Sequence, residues 1–345
     1  MERSFKQTVK SSRTEGLAVA AAGAAAAAAL WVRHRARRAE RDNPPVGRFI
    51  DVDGVRLHYV EQGEGPAVVL LHGNTVPLQD FISSGLIGGL AARHRVIAFD
   101  RPGFGYSERP RRRLWTAQAQ ARTIRSALNQ LGVAAPVVLG HSWGALVALE
   151  MAIDAESDVN GLVLVSGYYY PSARLDVAFA APAALPLVGD VLRYTVSPLI
   201  ARLLLERTVA TMFAPTPVPD SFFDAIAKEM ITRPSQIRAV AEDAATMVPA
   251  AARLSHRYAA LSMPVRIFAG AQDRIVAPQA HSVRLHDALT HSSLVVVPGA
   301  GHMVHYAVAP EIIAAIDAMS AAPRLQTGTD HSAIADKPTQ PEAVR

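Results

Sequence analysis

Cysteine is missing from the 345-residue chain. Disulfides and cysteine-ligated metal centres are thereby excluded, and the redox state of the compartment leaves no mark on the sequence. Charge is sparse: 19% of residues are Asp, Glu, Lys or Arg, against 50% hydrophobic ones. That balance suits a chain that buries a core and excludes a disordered or fibrous one. No internal repeat is visible. Nor is there an excess of charge beyond the N-terminus. Residues 1–46 hold nine Lys/Arg against four Asp/Glu, a net of +5, while the other 26 basic and 26 acidic residues cancel. The main domain lacks a polyanion footprint, so nucleic acid is not an expected partner. Paired His/Asp spacing is lacking too, and no metal site is expected.

One uncharged run stands out near the start. Gly16 to Val32 is 17 residues long and includes ten Ala, spanning roughly 25 Å as a helix against a hydrocarbon core of about 30 Å. The Arg33–Arg41 cluster that follows it is the wrong flank for signal cleavage, so the expectation is an uncleaved transmembrane anchor over 16–32. A targeting peptide and a soluble Ala-rich helix are the alternatives. Five Arg after the run and four Lys/Arg before it lean towards a cytoplasmic catalytic domain on a membrane. Asp42-Asn43-Pro44-Pro45-Val46-Gly47 reads as a linker.

From Gly47 the pattern is that of an α/β domain. Two alternating runs, 48–52 and 55–60, flank Asp53-Gly54, a hairpin signal. A continuous apolar run at 67–71 and strand-like runs at 94–99, 136–139 and 161–166 alternate with helical spacing at 117–131 and after Gly144, the rhythm of a parallel sheet covered on both faces. From about Gly167 to Ser262 no convincing strand appears, only segments of helical spacing. Strand character resumes at 264–269 and 293–297, and a last helix is expected over 310–321. The expectation is an eight-stranded, mostly parallel sheet formed by residues 47–166 and 263–322. A helical cap is inserted at 167–262, and a polar, disordered tail covers 323–345.

The chemistry concentrates at Gly140-His141-Ser142-Trp143-Gly144, which lies between the apolar run ending at Leu139 and the helix starting near Ala145. This is the strand, corner and helix context of a nucleophile elbow, in which a strained serine is lifted clear of the sheet. Serine needs a general base and the base needs an orienting acid. Groups with that task gather beyond the carboxyl ends of parallel strands. Asp273 follows the run at 264–269, and His302 follows the run at 293–297. The order Ser, Asp, His is the one the elbow motif predicts. Asp273 has the alternative use of capping a turn.

Over about Gly47 to Ala322 the chain resembles the α/β-hydrolase superfamily. The resemblance implies Ser142 as nucleophile, His302 as base, Asp273 as orienting acid, and an oxyanion hole made by the backbone N–H groups of Asn74 and Trp143. It also implies a carboxylic ester hydrolase without a cofactor, acting on a small hydrophobic substrate. Candidate pocket residues are His141, Tyr168, Tyr169, Phe213 and His305. Cofactor-free haloperoxidase or perhydrolase activity, C–C bond hydrolysis and a non-catalytic small-molecule receptor are the alternatives on the same residues. Haloalkane dehalogenases resemble the chain at His72-Gly73-Asn74 and Trp143, a pair that binds halide there. They and epoxide hydrolases use an aspartate where this chain has Ser142.

Overall fold

A computed structural model describes residues 2–154, 158–173 and 181–321. The tail expected to be disordered, 323–345, and part of the cap, 174–180, lie outside the described residues. Eight strands form one sheet in the order β1-β2-β4-β3-β5-β6-β7-β8. They are β1 (Arg48–Val52), β2 (Val55–Gln62), β3 (Ala67–Leu71), β4 (Arg95–Phe99), β5 (Val137–His141), β6 (Gly161–Val165), β7 (Val265–Gly270) and β8 (Ser292–Val297). β1 and β2 are antiparallel, as are β2 and β4, and every pairing from β4 through β8 is parallel. The expected sheet is therefore met strand for strand. Asp53 and Gly54 both take positive φ, 52° and 73°, the pairing that a tight hairpin turn requires.

The helices are α1 (Glu2–Asp42), α2 (Gln79–Ser83), α3 (Leu86–Ala91), α4 (Ala117–Gln130) and α5 (Trp143–Asp154), followed by α6 (Val188–Tyr194), α7 (Ser197–Phe213), α8 (Asp220–Ala225), α9 (Lys228–Ile231) and α10 (Pro234–Ser255), then α11 (Arg284–Ala288) and α12 (Ala309–Ala321). Alternate residues of the parallel strands feed two cores. Val69, Leu71, Ile97, Phe99, Val138, Leu162 and Leu164 pack against α4, α5 and the end of α10. Val68, Leu70, Val96, Ala98, Val137, Leu139, Val163 and Val165 pack against α2, α3 and α12. Burial on both faces is why these strands read as unbroken apolar runs.

Between β6 and β7 the described residues contain helices and no strand. The buried side of α10 runs through Gln236, Ala239, Asp243, Met247, Ala250 and Leu254, steps of three and four that place them on one helical face. Two of these are polar, and Asp243 is fully buried. This part of the inserted segment therefore meets polar groups of the core beneath it.

The N-terminal expectation is corrected. No helix among the described residues is long and apolar enough to cross a membrane, so the anchor over 16–32 fails, and with it the membrane partner and the cytoplasmic topology inferred from it. Alanine is the strongest helix former but only weakly hydrophobic, so the ten Ala supply helicity rather than lipid affinity. The run continues into one helix, α1, whose last turns rest on the protein. Val32 and Ala39 are buried, Arg233 donates to the Glu40 carboxylate at 2.7 Å, and the Tyr106 hydroxyl donates to the Glu40 carbonyl at 3.0 Å.

Candidate active site

Ser142 leaves β5 in the left-handed region, at φ 53°, a strained conformation for a residue with a Cβ. Its N–H is held by the Val165 carbonyl at 2.8 Å. The flanking glycines make the corner possible. A Cβ on Gly140 would come within 2.6 Å of Ala145 Cα, and one on Gly144 within 2.2 Å of the Leu71 carbonyl oxygen.

The three residues proposed from the sequence come together. His302 Nε2 lies 2.9 Å from Ser142 Oγ, and His302 Nδ1 lies 2.8 Å from Asp273 Oδ2. The His302 and Asp273 side chains are almost fully buried. An Nδ1–H donated to the carboxylate leaves Nε2 with its lone pair facing the serine hydroxyl, the tautomer a general base needs. The contacts of Asp273 are compatible with both of its readings. Its second oxygen, Oδ1, accepts from the Ile275 and Val276 N–H groups at 2.8 and 2.9 Å, so the turn-capping bonds aim the carboxylate at the base.

Asn74 and Trp143 flank the serine from β3 and α5. Among the described residues neither backbone N–H is spent on a hydrogen bond within the protein. Both side chains are committed elsewhere. The Asn74 amide donates to the Val240 carbonyl at 3.2 Å, and the Trp143 indole N–H donates to the Asp243 carbonyl at 3.0 Å, both on α10. His72 is bonded into the same turn, its Nδ1 2.7 Å from the Gly73 carbonyl oxygen. Phe213 is buried against Phe222 and Tyr306. Tyr168 stacks on His281 with ring centroids 4.6 Å apart, and the Tyr169 hydroxyl accepts from the Gly167 N–H, so both tyrosines take part in packing at the end of β6. His141 and His305 pack ring against ring, 4.5 Å apart.

Residues 66–307 match the alpha/beta hydrolase fold family. The chain belongs to that family. Haloalkane dehalogenase 2 of Mycobacterium tuberculosis is 28% identical over 281 residues, covering 79% of this chain and 94% of that protein. Among solved structures, an alpha/beta hydrolase fold protein from Burkholderia ambifaria superposes with a TM-score of 0.67 at 24% identity, covering 79% of this chain and 97% of that one. A thermophilic esterase from Thermogutta terrifontis gives a TM-score of 0.64 at 22% identity, with the same coverage.

Three residues around this hydrolase's candidate site escaped the sequence reading: Arg101, Asp243 and Asp80. Arg101, directly after β4, is fully buried. It donates to the His72 carbonyl at 2.8 Å, the Gly73 carbonyl at 2.9 Å and the Asp243 carboxylate at 2.6 Å. It thus engages the carbonyls of the His72-Gly73 turn and clamps that turn to α10. A charged pair, Asp100-Arg101, standing directly after a buried strand was the available signal. Asp80, on α2, is the third, and nothing in its local sequence marks it. Asp80, His141 and His305 place their ligating atoms within 4.8 Å of one another, a composition that could hold a metal ion. The spacing argument against a metal missed this group because three distant segments meet there. Asp80 Oδ2 already accepts from His305 Nε2 at 3.0 Å, and its Oδ1 from the Tyr306 hydroxyl at 3.0 Å.

His72 makes acid stability testable. It donates from Nδ1 to the Gly73 carbonyl at 2.7 Å and accepts the Arg101 N–H at Nε2 at 2.9 Å. Burial first, and then the Arg101 charge, push its pKa from 6.5 down to about 3. A base held neutral in the fold stabilises fully above its unfolded pKa, and that contribution is lost as pH falls below 6.5 towards about 3. The loss amounts to roughly 4 kcal/mol by the lower limit. Urea unfolding of His72→Asn is expected to show a shallower decline between pH 6.5 and 4 than the parent protein. Parallel declines would contradict the assignment.

Proposed function

We propose that this hydrolase cleaves a small, apolar ester or related acyl compound through an acyl-enzyme on Ser142. The observation that carries the reading is the continuous path from Ser142 Oγ through His302 to Asp273, at 2.9 and 2.8 Å. Ser142 Oγ attacks the acyl carbon while its proton passes to His302 Nε2. The oxyanion faces the N–H groups of Asn74 and Trp143, each such donor lowering the barrier by about 3 kcal/mol. The imidazolium, steadied by Asp273, returns the proton to the leaving alkoxide. Water then attacks the acyl carbon with His302 as base, releasing the acid and restoring Ser142.

Two further observations support an ester over a haloalkane. Ser142 stands where dehalogenases and epoxide hydrolases carry an aspartate, and the side-chain donors of Asn74 and Trp143 are bonded to carbonyls of α10, not left open to a halide. The apolar substrate class is supported by Val76, Met212, Phe213, Phe222 and Met303, one buried cluster. It adjoins the base, since the Met303 N–H donates to the Met212 carbonyl at 3.3 Å. A p-nitrophenyl ester series from acetate to decanoate tests the reading. Short and medium chains are expected to turn over, and Ser142→Ala to turn over none. Failure across the whole series by protein that still takes a fluorophosphonate on Ser142 would reject ester cleavage while keeping the nucleophile.

A further inference from the structure

We propose that Asp80, His305 and His141 form a second carboxylate–histidine cluster that positions His302, with Asp80 supplying a negative charge that favours the imidazolium formed as Ser142 attacks. The inference rests on the reading of His302 as general base.

The geometry ties together the three segments that carry the chemistry. Asp80 lies on α2, in the segment that follows the oxyanion turn. Its two oxygens hold His305 and Tyr306, each at 3.0 Å, on the short turn Val304–Tyr306, which Met303 separates from His302. His141 precedes the nucleophile, and its Nε2 lies 3.3 Å from the His302 carbonyl oxygen. The backbone of the base is thus held from the nucleophile strand and from α2, independently of the Ser142–His302 contact. Asp80, His141 and His305 are all fully buried.

His141 explains why the cluster acts on the base and is not merely packing. Burial, followed by the neighbouring His305 and His302, holds its pKa well below the ordinary histidine value, so the ring is neutral and has one N–H to give. Given to the His302 carbonyl, that N–H leaves Nδ1 bare. Nδ1 lies 3.7 Å from Asp80 Oδ2, beyond hydrogen-bonding reach, and has no other partner among the described residues. The titratable or charged groups that meet His302 are Asp273 from the β7 end and Ser142 and His141 from the β5 end. Asp80 on α2 is the acid behind His141, its Oδ2 3.7 Å from His141 Nδ1 and 3.0 Å from His305 Nε2, so the two acids of the cluster and the base come from different elements.

The test is the rate of fluorophosphonate labelling of the full-length protein against pH. Parent protein that labels, Ser142→Ala that does not and His302→Gln that labels far more slowly secure the base reading first; absence of labelling in folded parent protein rejects that reading and takes this proposal with it, whereas the outcomes below reject this proposal alone. Asp80→Asn is then expected to label at least about tenfold more slowly. Its acid-limb midpoint should move to lower pH by about 0.5 unit or more, because a base that has lost a nearby negative charge protonates less readily. An unchanged rate and midpoint in folded Asp80→Asn overturns the proposal. So does a stoichiometric, tightly bound metal at these residues in the purified protein, because the three side chains would then be ligands. Should Asp80→Asn fail to fold, His141 decides. His141→Gln, which retains an N–H for the His302 carbonyl, is expected within about threefold of the parent, and His141→Leu about tenfold below it. Equal rates for the two overturn the proposal.

Discussion

His302→Gln is expected to slow acylation of Ser142 by about 10⁴-fold or more while moving the melting temperature by only a few degrees. The size follows from what the ring does. A serine hydroxyl at neutral pH is almost entirely protonated, and among the described residues the one base within reach of Oγ is His302 Nε2 at 2.9 Å. Glutamine fills much of the same space but cannot accept and then return a proton. The remaining rate would come from the oxyanion N–H groups and substrate binding alone, since triad members act as a unit. Stopped-flow acylation with an activated ester measures it. A loss under tenfold would mean that another group takes the proton.

The second large effect is on stability. Asp243→Ala is expected to cost about 3–5 kcal/mol, because it leaves a buried charge without its partner. Asp243 is fully buried and accepts from Arg101 at 2.6 Å, Arg109 at 2.9 Å and Gln120 at 3.0 Å, and Arg101 itself has no access to water. The guanidinium also lies over the rings of Trp143 and Phe104, 4.4 and 4.5 Å from their centroids, so it has no room to turn elsewhere. By contrast Arg48, 73% exposed and 3.3 Å from Glu61, is expected to cost under about 1 kcal/mol when changed to Ala. Equilibrium urea unfolding of both variants checks the pair, and similar small losses for the two would contradict the buried-charge argument. The same network bears on motion. Swinging α10 away as a lid would strip Arg101 and Arg109 of Asp243, so substrate entry is expected through another part of the inserted segment.

The sheet and the elbow were legible because their signals are local. Ala67–Leu71 and Gly161–Val165 are covered on both faces and therefore apolar throughout. Asp53-Gly54 advertises the one turn that needs two positive φ angles. The meeting of Asp273 and His302 with Ser142 was legible for a different reason: topology confines candidate groups to the ends of parallel strands, leaving few positions to consider. Arg101 left one signal, a charged pair after a buried strand, that went unread, whereas Asp80 and Asp243 were not legible, since each matters through partners far away in sequence. Asp243 looks like one more polar residue on an amphipathic helix until α10 is laid over the turn after β3. The Ala-rich stretch misled in the opposite direction. A run of 17 uncharged residues resembles a span by length alone, yet alanine gives it helicity with little affinity for lipid.

One experiment bears most directly on the central claim that Ser142 is an activated nucleophile: treatment of the full-length protein with a fluorophosphonate, followed by intact mass and peptide mapping. The expected result is one adduct per chain, on the peptide containing Ser142, absent from Ser142→Ala and strongly slowed in His302→Gln. Folded protein that takes no adduct, or an adduct that persists in Ser142→Ala, would contradict it.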